Sequence, residues 1–262
     1  MQYTLKKSLG QHFLKDASVC ERILDTLKDE HPSKLLEVGP GGGALTKYLL
    51  TLEGVDFRAV EVDLEKVDYL LHQFPELKDR LLHESILDTA PPFPDSFVLV
   101  GNFPYNISSQ IVFRILDWKD QVTVMIGMFQ KEVAQRIVAK EGSKAYGILS
   151  VLVQAFYESD YLFDVGQDAF VPPPKVMSGV IRLRRRNDVP EMKSEHLFFM
   201  LVKAAFNQRR KMLRNAVRHL FNPSVLEDSL FNKRAEQLTV KQFADLTFLM
   251  AADSESKKNI HA

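Results

Sequence analysis

Two stretches of this sequence hold residue types suited to chemistry. The first is Gly39-Pro40-Gly41-Gly42-Gly43-Ala44. Glycines in such a run let the chain turn tightly and bring backbone N–H groups against a ligand. Glu61 follows 22 residues after Gly39, at the end of the next apolar run, where a carboxylate can accept hydrogen bonds from two ribose hydroxyls. A nicotinamide dinucleotide and S-adenosylmethionine share that adenosine ribose, and the loose fingerprint fits both. The second stretch is Asn102-Phe103-Pro104-Tyr105. An amino group conjugated with a purine has a delocalised lone pair, so it must be oriented before it can attack an electrophile. The Asn102 amide oxygen and the Pro104 carbonyl can accept its two hydrogens, and Tyr105 can stack on the base. A site of this kind works by positioning and charge stabilisation, without a strong general base.

Both stretches need a scaffold that brings them to one edge. Apolar runs bounded by turn residues alternate with segments of helical period, which predicts an α/β fold around a mostly parallel sheet. The expected strands are Leu35–Val38, Phe57–Val62, Ser96–Val100 and Val122–Phe129, with helices over 44–52, 107–116 and 131–139. A pair of strands, Tyr161–Val165 and Gly179–Leu183, is expected to close the sheet as a hairpin around Pro172-Pro173-Pro174. The run Arg184-Arg185-Arg186-Asn187-Asp188-Val189-Pro190 breaks the pattern, so domains of 1–188 and 189–262 are expected. Beyond it the apolar spacing is helical: Phe198, Leu201, Val202, Ala205 and Phe206, then Leu213, Val217 and Leu220, then Phe243, Leu246 and Met250. The tail from Asp253 reads as frayed.

Composition narrows the class. Of 262 residues, 45% are apolar and 26% charged, with no run long enough to cross a bilayer, which predicts a soluble cytoplasmic protein. The single Cys20 predicts a buried, inert thiol, and the histidines lack metal-ligand spacing, so no metal is expected. Net charge is zero, yet Lys6, Lys7 and Lys15 lie in an acid-free stretch, and Lys203 to Arg218 holds six cations and no acid. Arg210, Arg214 and Arg218 recur at four-residue spacing, predicting one cationic helix face for phosphates. Arg182, Arg184, Arg185 and Arg186 would add cation at the domain junction.

Five motifs in order carry a resemblance: Leu9-Gly10-Gln11-His12-Phe13-Leu14, Glu37-Val38-Gly39-Pro40-Gly41, Asn102-Phe103-Pro104-Tyr105, Phe170-Val171-Pro172-Pro173-Pro174-Lys175-Val176 and Phe206-Asn207-Gln208-Arg209-Arg210-Lys211. Together they resemble the bacterial small-subunit (16S) ribosomal RNA adenine dimethyltransferase family over nearly the whole chain. The resemblance implies a Rossmann-like S-adenosylmethionine-dependent methyltransferase sheet closed by a β-hairpin, plus a small all-helical, RNA-binding C-terminal domain. It implies dimethylation of two adjacent adenosines at N6 in the 3′-terminal hairpin of the RNA, by a monomer acting on an assembling small subunit, with S-adenosylhomocysteine as product. Cofactor contacts then fall to His12, Leu14, Gly39, Gly41, Glu61, Ser85 and Asn102. Catalytic roles fall to Asn102, Pro104, Tyr105 and Phe170, the last as a second wall of the base pocket. RNA contacts fall to Arg209, Arg210, Lys211, Arg214 and Arg218. His12 stands where the family more often has Asn, and Ser85 where it usually has Asp, with Asp88 a substitute by a loop shift. Competing expectations are a methylase of large-subunit RNA, a non-enzymatic ribosome-binding factor and an NAD-dependent oxidoreductase. The last explains the glycine loop but neither Asn102 to Tyr105 nor the basic segment.

Overall fold

A computed structural model describes residues 12–251, which leaves Lys6, Lys7, the Leu9-Gly10-Gln11 part of the opening motif and the tail from Asp253 outside the described residues. The chain opens with a short strand, β1 (Phe13–Leu14), and α1 (Ala17–Asp29), whose start is fixed by Asp16 accepting the Ser18 N–H. Then β2 (Lys34–Val38), α2 (Thr46–Leu49), β3 (Asp56–Glu61), α3 (Leu64–Gln73) and β4 (Leu81–His83) alternate, followed by β5 (Phe97–Asn102), α4 (Ser108–Asp117), β6 (Val122–Gln130), α5 (Lys131–Ile137) and α6 (Ile148–Phe156). The remaining elements are β7 (Tyr157–Val165), β8 (Phe170–Val171), β9 (Ser178–Arg185), α7 (Glu195–Asn207), α8 (Leu213–Val217) and α9 (Val240–Leu246).

Seven strands form one sheet in the order β4-β3-β2-β5-β6-β9-β7. The pairs β4-β3, β3-β2, β2-β5 and β5-β6 are parallel, and β9 runs antiparallel to β6. Parallel strands covered on both faces read as unbroken apolar runs, which is why β5 and β6 are almost wholly buried. The strand order reverses between β2 and β5. In an open α/β sheet that reversal leaves a crevice outside the carboxyl ends of the strands, here the points where β2 runs into Gly39, β3 ends on Glu61 and β5 ends on Asn102. The closing strand pair is present and longer than expected, and β8, lying between its members in sequence, pairs with β1 in a second small sheet.

The chain divides into two compact units, residues 1–135 with 158–185, and residues 136–157 with 186–262. The expected division had one crossing, near 188; the structure adds an excursion through 136–157. Within the second unit, α6 packs on α7 and α9, and its Val151, Leu152 and Ala155 are fully buried. That helix carries its own apolar core surface, which explains why it groups with α7 and α9. In the first unit, the core cluster joins α1 (Ile23, Leu27), β3 (Phe57, Ala59) and β5 (Val98, Val100).

Candidate active site

The crevice at the strand reversal has a volume of about 260 Å³. It is walled by the glycine loop, Glu61 and Val62 on one side and Asn102 to Ile107 on the other. Gly39 and Gly41 have φ of +69° and +56°, conformations that side chains with a Cβ rarely adopt. A Cβ on Gly41 would also lie 2.9 Å from the Phe13 ring. Glu61 is 6% exposed and held by main-chain donors: Oε2 accepts from Gly41 N at 3.0 Å, and Oε1 from Val62 N at 2.9 Å and Asp63 N at 3.0 Å. Burial raises its pKa, and those three N–H groups oppose the rise. The glycine loop and the acid thus form one preorganised wall.

Glu37 on β2, unassigned from the sequence, lines the crevice and is 2% exposed. Its Oε2 accepts the Thr46 hydroxyl at 2.7 Å, and burial pushes its pKa to about 8, with Glu61 adding to the rise. Glu84 also faces the crevice, with Oε2 accepting the Thr89 hydroxyl at 2.8 Å. Its position directly before Ser85, at the end of β4, is the signal that could have found it. Ser85 lines the crevice and its Oγ accepts Leu87 N–H at 3.2 Å, whereas Asp88 is exposed and outside the lining. Among the described residues, the lining therefore holds three carboxylates and no Lys or Arg.

On the opposite wall, Asn102 donates from Nδ2 to the His12 carbonyl at 3.1 Å. With its nitrogen so committed, Oδ1 is the atom left to accept from a ligand. Phe103, unassigned from the sequence, anchors the loop: it is 1% exposed, packs at a tilt of 52° on Phe129 with ring centroids 4.9 Å apart, and a Cβ on Gly127 would fall 2.2 Å from its ring. An apolar residue between polar ones was the available sign. The Pro104 carbonyl accepts from Ile107 N at 3.3 Å and shares the Ser108 hydroxyl with the Tyr105 carbonyl, both at 3.2 Å. Ser108 can therefore release Pro104 without losing a partner. The Tyr105 hydroxyl is hydrogen-bonded to Ser178, and burial raises its pKa above the usual phenol value. The His12 ring stacks on Tyr105 with centroids 5.5 Å apart and 29° between planes, and its Nδ1 meets the Pro172 carbonyl at 2.8 Å.

Some expected residues lie elsewhere. Phe170 is brought opposite Leu14 by the β1-β8 pairing, but at 1% exposure it belongs to the core cluster and does not line the crevice. Leu14, also in that cluster, does line it. The single cationic helix face is replaced by a broken one. Helix α7 ends at Asn207, with Gln208 at φ −121° and ψ 47°, and residues 208–212 form a turn before α8. The segment Asn207-Gln208-Arg209-Arg210-Lys211 has no apolar residue to bury along a helical face, so nothing there sustains the helix. Arg210, Lys211 and Arg218 are exposed. Arg209 donates to the Lys144 carbonyl at 2.6 Å and lies 3.9 Å from the Glu236 carboxylate, and Arg214 is half-buried. The arginines of β9, and Arg186 directly after it, are not a free basic patch either. Arg182 pairs with Glu30 at 3.2 Å and Asp160 at 2.7 Å, and Arg184 with Glu30 at 2.5 Å. Arg186 pairs with Asp188 at 2.8 Å, and Arg185 donates to main-chain carbonyls. Cys20 is buried, and burial pushes its thiol to about 11. No group of three or more potential metal ligands occurs among the described residues, and none of their helices is long and apolar enough to cross a membrane.

The doubly wound sheet is Rossmann-like, and the family that the chain matches makes its crevice, with an acid and a glycine loop on one wall and an Asn-Phe-Pro-Tyr loop on the other, that of a methyltransferase. The family model described as ribosomal RNA adenine dimethylase matches residues 2–252. The chain is 51% identical over 252 residues to the ribosomal RNA small subunit methyltransferase A of Flavobacterium johnsoniae, covering 95% of this chain and 96% of that one. It is 51% identical over 249 residues to the protein of that name from Parabacteroides distasonis, at 93% of each. In fold it is similar to a dimethyladenosine transferase from Plasmodium falciparum, with TM-score 0.77, 24% identity and coverage of 90% of this chain and 96% of that one. It is also similar to the 23S rRNA methyltransferase ErmE, with TM-score 0.68, 24% identity and coverage of 89% and 99%. The chain belongs to the ribosomal RNA adenine dimethylase family and is an enzyme of that class.

Proposed function

We propose that this chain transfers methyl groups from S-adenosylmethionine to the N6 amines of two adjacent adenosines in the 3′-terminal hairpin of small-subunit ribosomal RNA, giving dimethyladenosines during assembly of the small subunit. The observation that carries the cofactor assignment is the charge of the crevice. Glu61 and Glu84 line it without a described Lys or Arg, and Glu37 holds a proton that it can release beside a bound cation, which suits a ligand bearing a sulfonium and an ammonium and opposes the diphosphate of a dinucleotide. When bound, the cofactor supplies an electrophilic methyl group. The residues of the chain do the rest. Glu61 receives a ribose hydroxyl on the Oε2 lone pair that its three main-chain donors leave open, Gly39 and Gly41 let the backbone approach, and Ser85 and Leu14 complete the lining. Asn102 Oδ1 accepts one hydrogen of the target amine. The Pro104 carbonyl accepts the other as Ser108 turns to Tyr105, which aims the nitrogen lone pair at the methyl carbon.

The target base must be unpaired or flipped to reach this loop, and Tyr105 offers it a stacking face. Arg210, Lys211 and Arg218, exposed in the second unit, contact phosphates of the surrounding RNA, with Arg209 and Arg214 contributing less because they are partly committed or covered. The enzyme acts as a cytoplasmic monomer. The test is mass spectrometry of small-subunit and large-subunit RNA, each as subunit particles, incubated with the protein and isotopically labelled cofactor. Two labelled dimethyladenosines in the small-subunit hairpin are expected. Label confined to large-subunit RNA overturns the substrate assignment, and no transfer to either overturns the activity.

A further inference from the structure

Residue 12 makes three contacts, and all three point toward the target side of the crevice. Its carbonyl accepts Asn102 Nδ2 at 3.1 Å, its Nδ1 meets the Pro172 carbonyl at 2.8 Å, and its ring lies on Tyr105 at 5.5 Å and 29°. A carbonyl only accepts, so Nδ1 carries the proton, and the imidazole is held in one orientation at both its ring face and its donor. Phe13, the next residue, packs on the opposite wall, where its ring would meet a Cβ on Gly41. The succeeding Leu14 pairs across to Phe170. Three consecutive residues therefore tie together the catalytic loop, the glycine loop and β8.

We propose that His12 is a positioning residue for the target adenine: it sets the amide of Asn102 and one face of Tyr105, and its side chain is not a cofactor ligand. The inference rests on the proposed methyl transfer to an adenine amine. Its physical content is a division of labour within one residue. The main chain of His12 decides which atom of the Asn102 amide faces the ligand. The imidazole, fastened to Pro172, backs Tyr105 from one side and leaves the other face for the base. A ring so backed loses little freedom when a base stacks on it, so the cost of ordering the target pocket is already met in the free protein. Truncating the side chain releases the Tyr105 ring and the Pro172 loop together, and loosens the peptide that holds Asn102.

The experiment compares His12→Ala, His12→Asn and His12→Phe with the wild type. Asn keeps a donor for Pro172 without the ring, and Phe keeps the ring without the donor. Affinity for S-adenosylhomocysteine is measured by calorimetry, and single-turnover methylation is measured on small-subunit particles at saturating cofactor and substrate. A third reading uses hairpin RNA with 2-aminopurine at a target position, whose fluorescence falls when the base stacks. For His12→Ala the expected result is a rate about 10- to 100-fold lower, product affinity within about threefold of wild type, and weaker quenching of the stacked base. His12→Asn and His12→Phe should each recover part of the rate. A wild-type rate in His12→Ala overturns the inference, as does a loss of product affinity that matches the loss of rate, which would make the side chain a cofactor ligand. Thermal melts check folding, and Asn and Phe carry the test if Ala melts early. Wild-type protein that transfers no methyl group would refute the reading beneath and the inference with it; an active wild type beside an unaffected His12→Ala refutes the inference alone.

Discussion

The glycine-loop wall and the basic segment after α7 differ in what holds their functional groups. Glu61 receives three main-chain N–H groups within 3.0 Å, and Gly39 and Gly41 are locked at positive φ between a strand and a helix. Arg210 and Lys211 sit exposed on a turn that no apolar stripe stabilises. Chemistry built on backbone geometry at a strand end is prescribed by local sequence, because the turn itself demands those residue types. Chemistry carried by long side chains on a turn depends on what else packs nearby, as Arg209 shows by spending its guanidinium on Lys144 and Glu236.

The largest expected effect lies on the rigid side. Asn102→Ala should fold and, at saturating cofactor, lose about 100-fold or more in single-turnover rate, because it removes an acceptor needed as charge develops on the amine. Near wild-type turnover would show that the loop is rigid for packing alone. Next, Arg210→Gln, Lys211→Gln and Arg218→Gln combined should reduce the slope of log RNA affinity against log salt by about 2 to 3, at roughly 0.7 to 0.9 per phosphate contact. Arg182→Gln should leave that slope unchanged and lower the melting temperature, since its partners are Glu30 and Asp160. Filter binding across a salt series separates the two arginine sets, and equal slopes for both variants would erase the distinction between free and paired cations. Smaller again, Glu61→Ala should weaken cofactor binding by about 1 to 3 kcal/mol. Unchanged calorimetry would remove Glu61 from the site despite its rigidity.

The strands β2, β3, β5 and β6 were legible because buried parallel strands leave continuous apolar runs, and both site loops follow from their position at strand ends. What was not legible depended on long-range partners. Strands β1 and β8 are two residues each and exist by pairing across more than 150 residues, a pairing that sends Phe170 inward to the core. The Arg-rich end of β9 looks like a nucleic-acid patch until Glu30 and Asp160 are seen opposite. Glu37 and Glu84 escaped for a related reason: each is an acid in an apolar or polar run whose significance appears only when the other walls of the crevice are in place.

The last effect is a trend with pH rather than a single loss, and it tests whether the rigid wall is also a titrating one. Glu37 is fully buried with the Thr46 hydroxyl as its donor, and it interacts with Glu61 from β3 and Cys20 from α1, with Lys47 acting on the thiol. Its carboxyl rises from 4.5 to about 8 on folding. A raised acid binds its proton more tightly in the folded state, so its contribution to stability is complete below pH 4.5 and declines as pH rises toward 8. The decline is at most about 1.4 kcal/mol per pH unit. Binding a cationic cofactor favours the ionised form, so over the same window affinity should rise with pH as a proton is released. Glu37→Gln should flatten both trends, because an amide does not titrate, while Glu61 and Cys20 remain. Thermal melts at a series of pH values and calorimetry in buffers of different ionisation enthalpy read the two arms separately. If Glu37→Gln keeps the wild-type pH dependence in both, the proton resides elsewhere in the crevice. If it flattens stability but not binding, the cofactor's charge lies beyond Glu37's reach and nearer Glu61 or Glu84.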